Sequence, residues 1–111
     1  MTEAVGMQNT RGTGADPYAA ILPALKARDP VAQSAFFNQT GPRILRILIA
    51  AFHQNLSRQD CEDILIEAGL KFFQNLQRFD PSRGTRLETW FTTIAMNAAR
   101  DERRRNYRHS S

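Results

Sequence analysis

Apolar side chains recur along this chain every three or four positions, and nowhere do they alternate over a useful length. That spacing is the period of an α-helix and not of a strand, so the chain is directed to an all-α fold. Proline, glycine and aspartate set the boundaries. Asp16-Pro17 and Asp29-Pro30 each join an N-cap acid to a proline suited to the first helical turn. A first helix is expected over residues 17–28, mildly interrupted at Pro23, with Ile21, Leu22 and Leu25 as its stripe. A second opens at Pro30 with Val31, Ala35 and Phe36 inward. Gly41-Pro42 should break or kink it, because proline lacks an amide hydrogen and crowds the preceding turn. Ile44, Leu45, Leu48, Ile49 and Phe52 then resume helical spacing, with Arg43 and Arg46 opposite. A third helix over 58–78 turns Ile64, Leu65, Ala68, Phe72 and Leu76 inward. Residues 79–85, Phe-Asp-Pro-Ser-Arg-Gly-Thr, carry strong turn chemistry. A fourth helix over 86–105 buries Leu87, Trp90, Phe91, Ile94 and Ala98. The expected architecture is a compact bundle of about four helices.

A chain of 111 residues suits one domain. Residues 1–15, rich in glycine and threonine, read as a flexible leader, 16–108 as the helical domain and 109–111 as a tail or the start of a linker. The longest apolar run, Ile47 to Phe52, is far short of the ~20 residues that span a bilayer. No basic stretch followed by an apolar one marks a secretory signal. A single cysteine, Cys61, cannot close an internal disulfide. With two distant histidines, it offers almost no ligands for zinc. A cytoplasmic location is expected.

The net charge of +4 is unevenly placed. Residues 1–77 carry seven basic and seven acidic side chains, and residues 78–111 carry eight arginines against four acids. Asp60, Glu62, Asp63 and Glu67 form a local acidic cluster in the neutral part. One acidic and one basic pole point to two different partners.

No feature suggests catalysis. Gly12 and Gly14 lack the preceding strand of a phosphate-binding loop. Cys61 lies among carboxylates, which disfavour its thiolate. The acidic cluster occupies successive helical positions that point in different directions, unlike a cation-binding loop, so a protein-contact face is the better reading. No metal, cofactor or catalytic residue is expected. The fourth helix and its loop fit nucleic acid instead. Thr92, Thr93, Met96, Asn97 and Arg100 lie off the apolar stripe, and Arg103, Arg104 and Arg105 extend beyond it. Arginines can meet phosphates, while asparagine and threonine can bond base edges. Arg83, Gly84, Thr85 and Arg86 in the loop could meet an unpaired base or the backbone.

Residues 79–105, FDPSRGTRLETWFTTIAMNAARDERRR, resemble the second conserved region of sigma-70 family transcription initiation factors, nearest the extracytoplasmic-function type. Phe-Asp-Pro…Gly matches that family's loop. Thr89-Trp90-Phe91 matches its Thr-Trp-aliphatic step, and Ile94-Ala95-x-Asn97 its Ile-Ala-Arg-Asn step. Asp60-Cys61-Glu62-Asp63-Ile64 resembles the start of its polymerase-binding helix. Leu25 to Leu45 resembles its first helical hairpin. The likeness spans about residues 18–108. The chain departs from the family at Ile66, where glutamine is usual, and at Ala68 and Gly69, where bulky apolar residues are usual. It departs again at Glu88, where a basic or polar residue is usual, and at Met96, where arginine is usual.

The resemblance implies a non-enzymatic sigma factor domain of the bacterial cytoplasm. Asp60, Glu62, Asp63, Glu67 and Leu70 would bind core RNA polymerase, on the beta-prime subunit. Arg83, Thr85, Arg86, Thr93, Asn97, Arg100, Arg103, Arg104 and Arg105 would bind promoter DNA. The loop would hold a flipped base of the −10 element's non-template strand. An anti-sigma factor is a further expected partner. The family's C-terminal promoter-reading domain has no counterpart in these residues, so a fragment of a two-domain factor and a natural short relative both stay open. The alternative function is a sigma-like decoy that binds polymerase or an anti-sigma factor without reading promoters.

Overall fold

The computed structural model describes residues 16–110, with side chains through Tyr107; the expected leader, 1–15, lies outside the described residues. A 3-10 turn, Ala19–Ile21, runs into α1, Leu22–Lys26. The long helix α2, Pro30–Phe52, follows, and then α3, Arg58–Gln74. Two further 3-10 turns, Leu76–Arg78 and Pro81–Arg83, lead into α4, Leu87–Ser110. No strand occurs among the described residues. The fold is the expected all-α bundle.

The caps follow from sequence. Asp29 accepts from the Val31 amide at 3.0 Å ahead of Pro30, which opens α2. Ser57 and Asp60 form a reciprocal capping box at the start of α3, with both hydrogen bonds at 3.0 Å. Arg28 closes α1 at φ 64°, a left-handed conformation that leaves the Arg28 and Asp29 amides bonded to Leu25 and Ala24 carbonyls.

Local expectations change at four places. The first helix is shorter and partly 3-10, and the third yields to a 3-10 turn after Gln74. Gly41-Pro42 does not break α2, which runs through Pro42. Proline deprives the Asn38 carbonyl of its donor, but Pro42 and Asn38 are both exposed, so water can serve it. Phe36, Thr40, Ile44 and Leu48 are fully buried along the other face and hold the helix through the proline. Val31 and Ala35, expected inward, are exposed, Val31 at 76%. The inner stripe of α2 begins only at Phe36.

A stack of aromatic rings joins the three long helices. Phe36 of α2 lies nearly parallel to Phe72 of α3, with centroids 5.2 Å apart and an interplanar angle of 5°. Phe72 in turn stacks on Phe91 of α4 at 4.9 Å. Each is fully buried, and burial of one such ring contributes about 1.5–3 kcal/mol before entropy is charged against it. Gly69 permits the close approach of α3 to α2: a Cβ there would sit 2.8 Å from the Phe37 ring. Phe37 thus fills the space that a bulkier residue at position 69 would need. No described helix is long and apolar enough to cross a membrane.

Candidate functional site

The loop between α3 and α4 is shaped by bonds between near neighbours: the Arg83 amide donates to the Asp80 carbonyl at 3.1 Å and the Gly84 amide to the Pro81 carbonyl at 3.3 Å. Residues 80–85 are all exposed. Asp80 accepts from the Ser82 hydroxyl at 2.7 Å and the Ser82 amide at 3.0 Å. These bonds, the hydroxyl's first, hold its carboxyl below the usual aspartate range, and nearby Arg83 and Lys26 add to this. Gly84 then ends the 3-10 turn at φ 86°, where a side chain would be strained. Arg78, Phe79, Asp80, Arg83, Thr85 and Trp90 line a hollow of about 320 Å³. Trp90, expected in the core, is only half-buried. It packs on Phe72 and Phe79, each at 5.4 Å, and lines this hollow as well. Arg83 and Thr85 therefore share a concavity with aromatic faces, which suits an unstacked base.

Arg86 lines a different groove, of about 470 Å³, together with Asp16, Tyr18, Glu88, Thr89, Thr93, Met96 and Arg100. Thr93 and Arg100 thus meet Arg86 along the outer face of α4. The Arg100 guanidinium donates to the Asn97 side-chain oxygen at 3.0 Å, and Asn97 is exposed beside the groove. Glu88 introduces an acid here, but Arg43 of α2 donates two hydrogen bonds to it, both at 2.8 Å. Those bonds, with a further one to the Tyr18 hydroxyl at 3.0 Å, hold Arg43 protonated beyond its ordinary strength.

The terminal arginines separate. The Arg103 guanidinium lies 5.4 Å from the centre of the Phe52 ring, and Arg103, Arg104, Asn55 and Tyr107 line a third hollow. Arg104 pairs with Asp101, and Arg105 with Glu102. The Glu102 bond raises the Arg105 pKa most, and the charge of Glu67 on α3 adds a smaller effect in the same direction.

On α3 the spacing of Asp60, Asp63, Glu67 and Leu70 places them along one face. Asp60 serves the capping box, Arg58 donates to Glu62 at 3.1 Å, and Gln59 donates to Asp63 at 3.0 Å. Leu70 is 60% exposed and Ile66 57%. Both line an apolar groove with Phe37, Gly69 and Phe73 between α2 and α3. Cys61 is buried on the inner side of α3. Its thiol is pushed up in pKa by that burial first, then by Asp60 and Glu62. No cluster of side chains suited to a metal ion occurs among the described residues.

The model of the family Sigma-70 region 2 matches residues 36–109, more than half of the chain. The chain belongs to the sigma-70 family. Its region 2 places it in transcription initiation, as the resemblance implied. No curated relative and no solved structure matches it.

Sequence reasoning missed the long-range partners of residues that precede the match. Asp16 looked like a cap for the helix after it. One of its carboxylate oxygens does accept from the Tyr18 amide at 2.9 Å. The other accepts from the Leu87 amide at 2.7 Å and caps α4. Lys26, with no assigned role, donates to the Phe79 carbonyl at 2.9 Å. A local signal existed only for Asp16. Arg86 stands at the N-cap position of α4 and has no acceptor to give, so the acceptor had to come from elsewhere.

Proposed function

We propose that this chain is the region 2 domain of an extracytoplasmic-function-type sigma factor that docks on core RNA polymerase and captures the melted −10 element. Polymerase would meet the exposed face of α3, where Asp60, Asp63 and Glu67 ring the apolar side chains of Ile66 and Leu70; Glu62 flanks it. The non-template strand would run over the loop and outer α4. One base would enter the hollow of Arg83, Thr85 and Trp90, and the backbone would pass Arg86, Thr93, Asn97 and Arg100. Arg103, Arg104 and Arg105 would extend the positive field toward flanking phosphates. The observation that carries this reading is the hollow at the loop, in which two arginines, a threonine and two aromatic faces meet beside an arginine-bearing groove.

The chemistry required is modest. Extruding a base costs a few kcal/mol of stacking and pairing. Stacking on an aromatic face returns about 1–3 kcal/mol per base, and phosphate neutralisation adds to it. The domain makes and breaks no bond; polymerase performs the synthesis.

The test is binding of a fluorescent single-stranded −10 oligonucleotide by the full chain with core polymerase. Arg86→Ala and Asn97→Ala should each weaken it, and no change in either would overturn the DNA face. Charge reversal at Asp63 should abolish retention on core polymerase. Specific run-off initiation would exclude the decoy function.

A further inference from the structure

Residues 16–26 lie outside the stretch that matches the family, yet they hold both ends of the 79–86 loop. At its start, the Lys26 ammonium donates to the Phe79 carbonyl at 2.9 Å, and the Gln77 side-chain amide donates back to the Lys26 carbonyl at 2.8 Å. At its end, Asp16 accepts from the Leu87 amide. The adjoining Tyr18 ring packs edge-on against Phe36 at 4.9 Å and is buried, which roots the segment in the core. Its hydroxyl accepts from Arg43, whose other bonds go to Glu88 one position further into α4.

Between these two anchors the loop has one short 3-10 turn, a left-handed glycine and no buried residue from Asp80 to Thr85. Its internal bonds join near neighbours, Asp80 with Ser82 and Arg83 and the Gly84 amide with the Pro81 carbonyl; they shape the turn without setting its place on the bundle, and an exposed loop loses order unless its ends are held. The anchors are strong of their kind. Each involves an ionised side chain bonded to a backbone group, and the Leu87 amide is one of the first-turn donors that α4 cannot satisfy itself.

We propose that the segment Asp16 to Lys26 is a clamp that fixes both ends of the 79–86 loop and so preorganises it for unpaired DNA, an inference that rests on the nucleic-acid reading above. Asp16 and Lys26 are positioning residues; Asp16 also lines the groove proposed for the strand, where its charge opposes phosphate, so weaker binding on its removal reports position and not charge. A loop held in its bound shape loses less entropy on binding, so the clamp acts on affinity for DNA and leaves the α3 face alone.

The test combines amide hydrogen exchange with binding, on the full chain. Asp16→Ala and Lys26→Met should each speed exchange in residues 80–87. Each should weaken binding of an A/T-rich single-stranded DNA by roughly fivefold, the effect of losing one helix cap. Retention on core polymerase should stay unchanged. Asp16→Asn keeps one of the two acceptor oxygens, Oδ1 and Oδ2, that serve the Tyr18 and Leu87 amides, so it should restore loop protection and DNA affinity in part, which a charge effect would not. If Arg83→Ala and Arg86→Ala weaken DNA binding while the clamp variants do not, the clamp is overturned and the DNA face stands. If none of the four weakens it, the DNA face fails and the clamp's role fails with it. If Asp16→Ala lowers DNA binding without faster exchange in the loop, the positioning role is overturned.

Discussion

Arg43 of α2 grips Glu88 of α4 with two hydrogen bonds of 2.8 Å each, across 45 residues of chain. The acid that departs from the family's usual basic or polar residue is thus answered by an arginine from another helix, which limits its penalty on the proposed DNA face. Its two partners should respond to mutation in opposite directions. Glu88→Gln frees a positive charge beside the groove and should raise affinity for single-stranded DNA, by about twofold to fivefold at low salt. Arg43→Gln leaves the carboxylate unanswered and should lower affinity by a similar factor. Anisotropy titrations of both variants check this. A shift in the same direction for both would show that the pair acts through folding and not through charge.

Gly69→Ala tests the contact between α2 and α3. The added methyl carbon would stand 2.8 Å from the Phe37 ring, closer than any ordinary contact. Overpacking costs about 1–3 kcal/mol, while alanine regains up to about 1 kcal/mol of helix propensity. The net expectation is a loss of about 1 kcal/mol in urea unfolding. Phe37→Leu in the same chain should recover most of it by vacating the space.

The arginines differ in what they face, and salt dependence should separate them. Each phosphate neutralised on a single strand contributes about 0.7 to the slope of log affinity against log salt. Arg86→Ala and Arg100→Ala should each lower the slope by about that amount. Arg105→Ala should lower it least, because Arg105 is already paired with Glu102. Equal effects at positions 100 and 105 would show that the far end of α4 reorients on DNA.

Cys61 should resist alkylation in the folded domain. It is 1% exposed and its thiol is raised by burial and by Asp60 and Glu62. Iodoacetamide at neutral pH should react slowly until denaturant opens the core. The same shift fixes a sign for stability. The folded state favours the neutral thiol, so its contribution is complete below the ordinary thiol pKa. The contribution declines as pH rises above that value, where the unfolded chain ionises first. The urea midpoint should therefore fall above about pH 9, and Cys61→Ser should flatten that fall.

Most of the bundle was legible because its signals are local. The apolar stripe from Ile64 to Phe72 marks the buried face of α3 from spacing alone, and the Asp29-Pro30 step marks where α2 starts. The gathering of Arg83, Thr85 and Arg86 in one loop was also legible, because it needs only neighbours in sequence. Pro42 does not end its helix, for a physical reason. A proline's local penalty can be read from the chain, but the buried row from Phe36 to Leu48 that outweighs it exists only after α3 and α4 have packed there.

The sequence by itself determined the order of the helices, most of their inward faces and the two poles of charge, since each follows from residue type and a fixed helical period. Tertiary structure alone decided which charges meet. It gave Glu88 to Arg43, set Arg103 over the Phe52 ring, and brought Asp16 and Lys26 to the two ends of a loop more than fifty positions away. Those pairings depend on how far each helix runs and how closely the aromatic stack draws the helices together, and neither is set by any short stretch of chain.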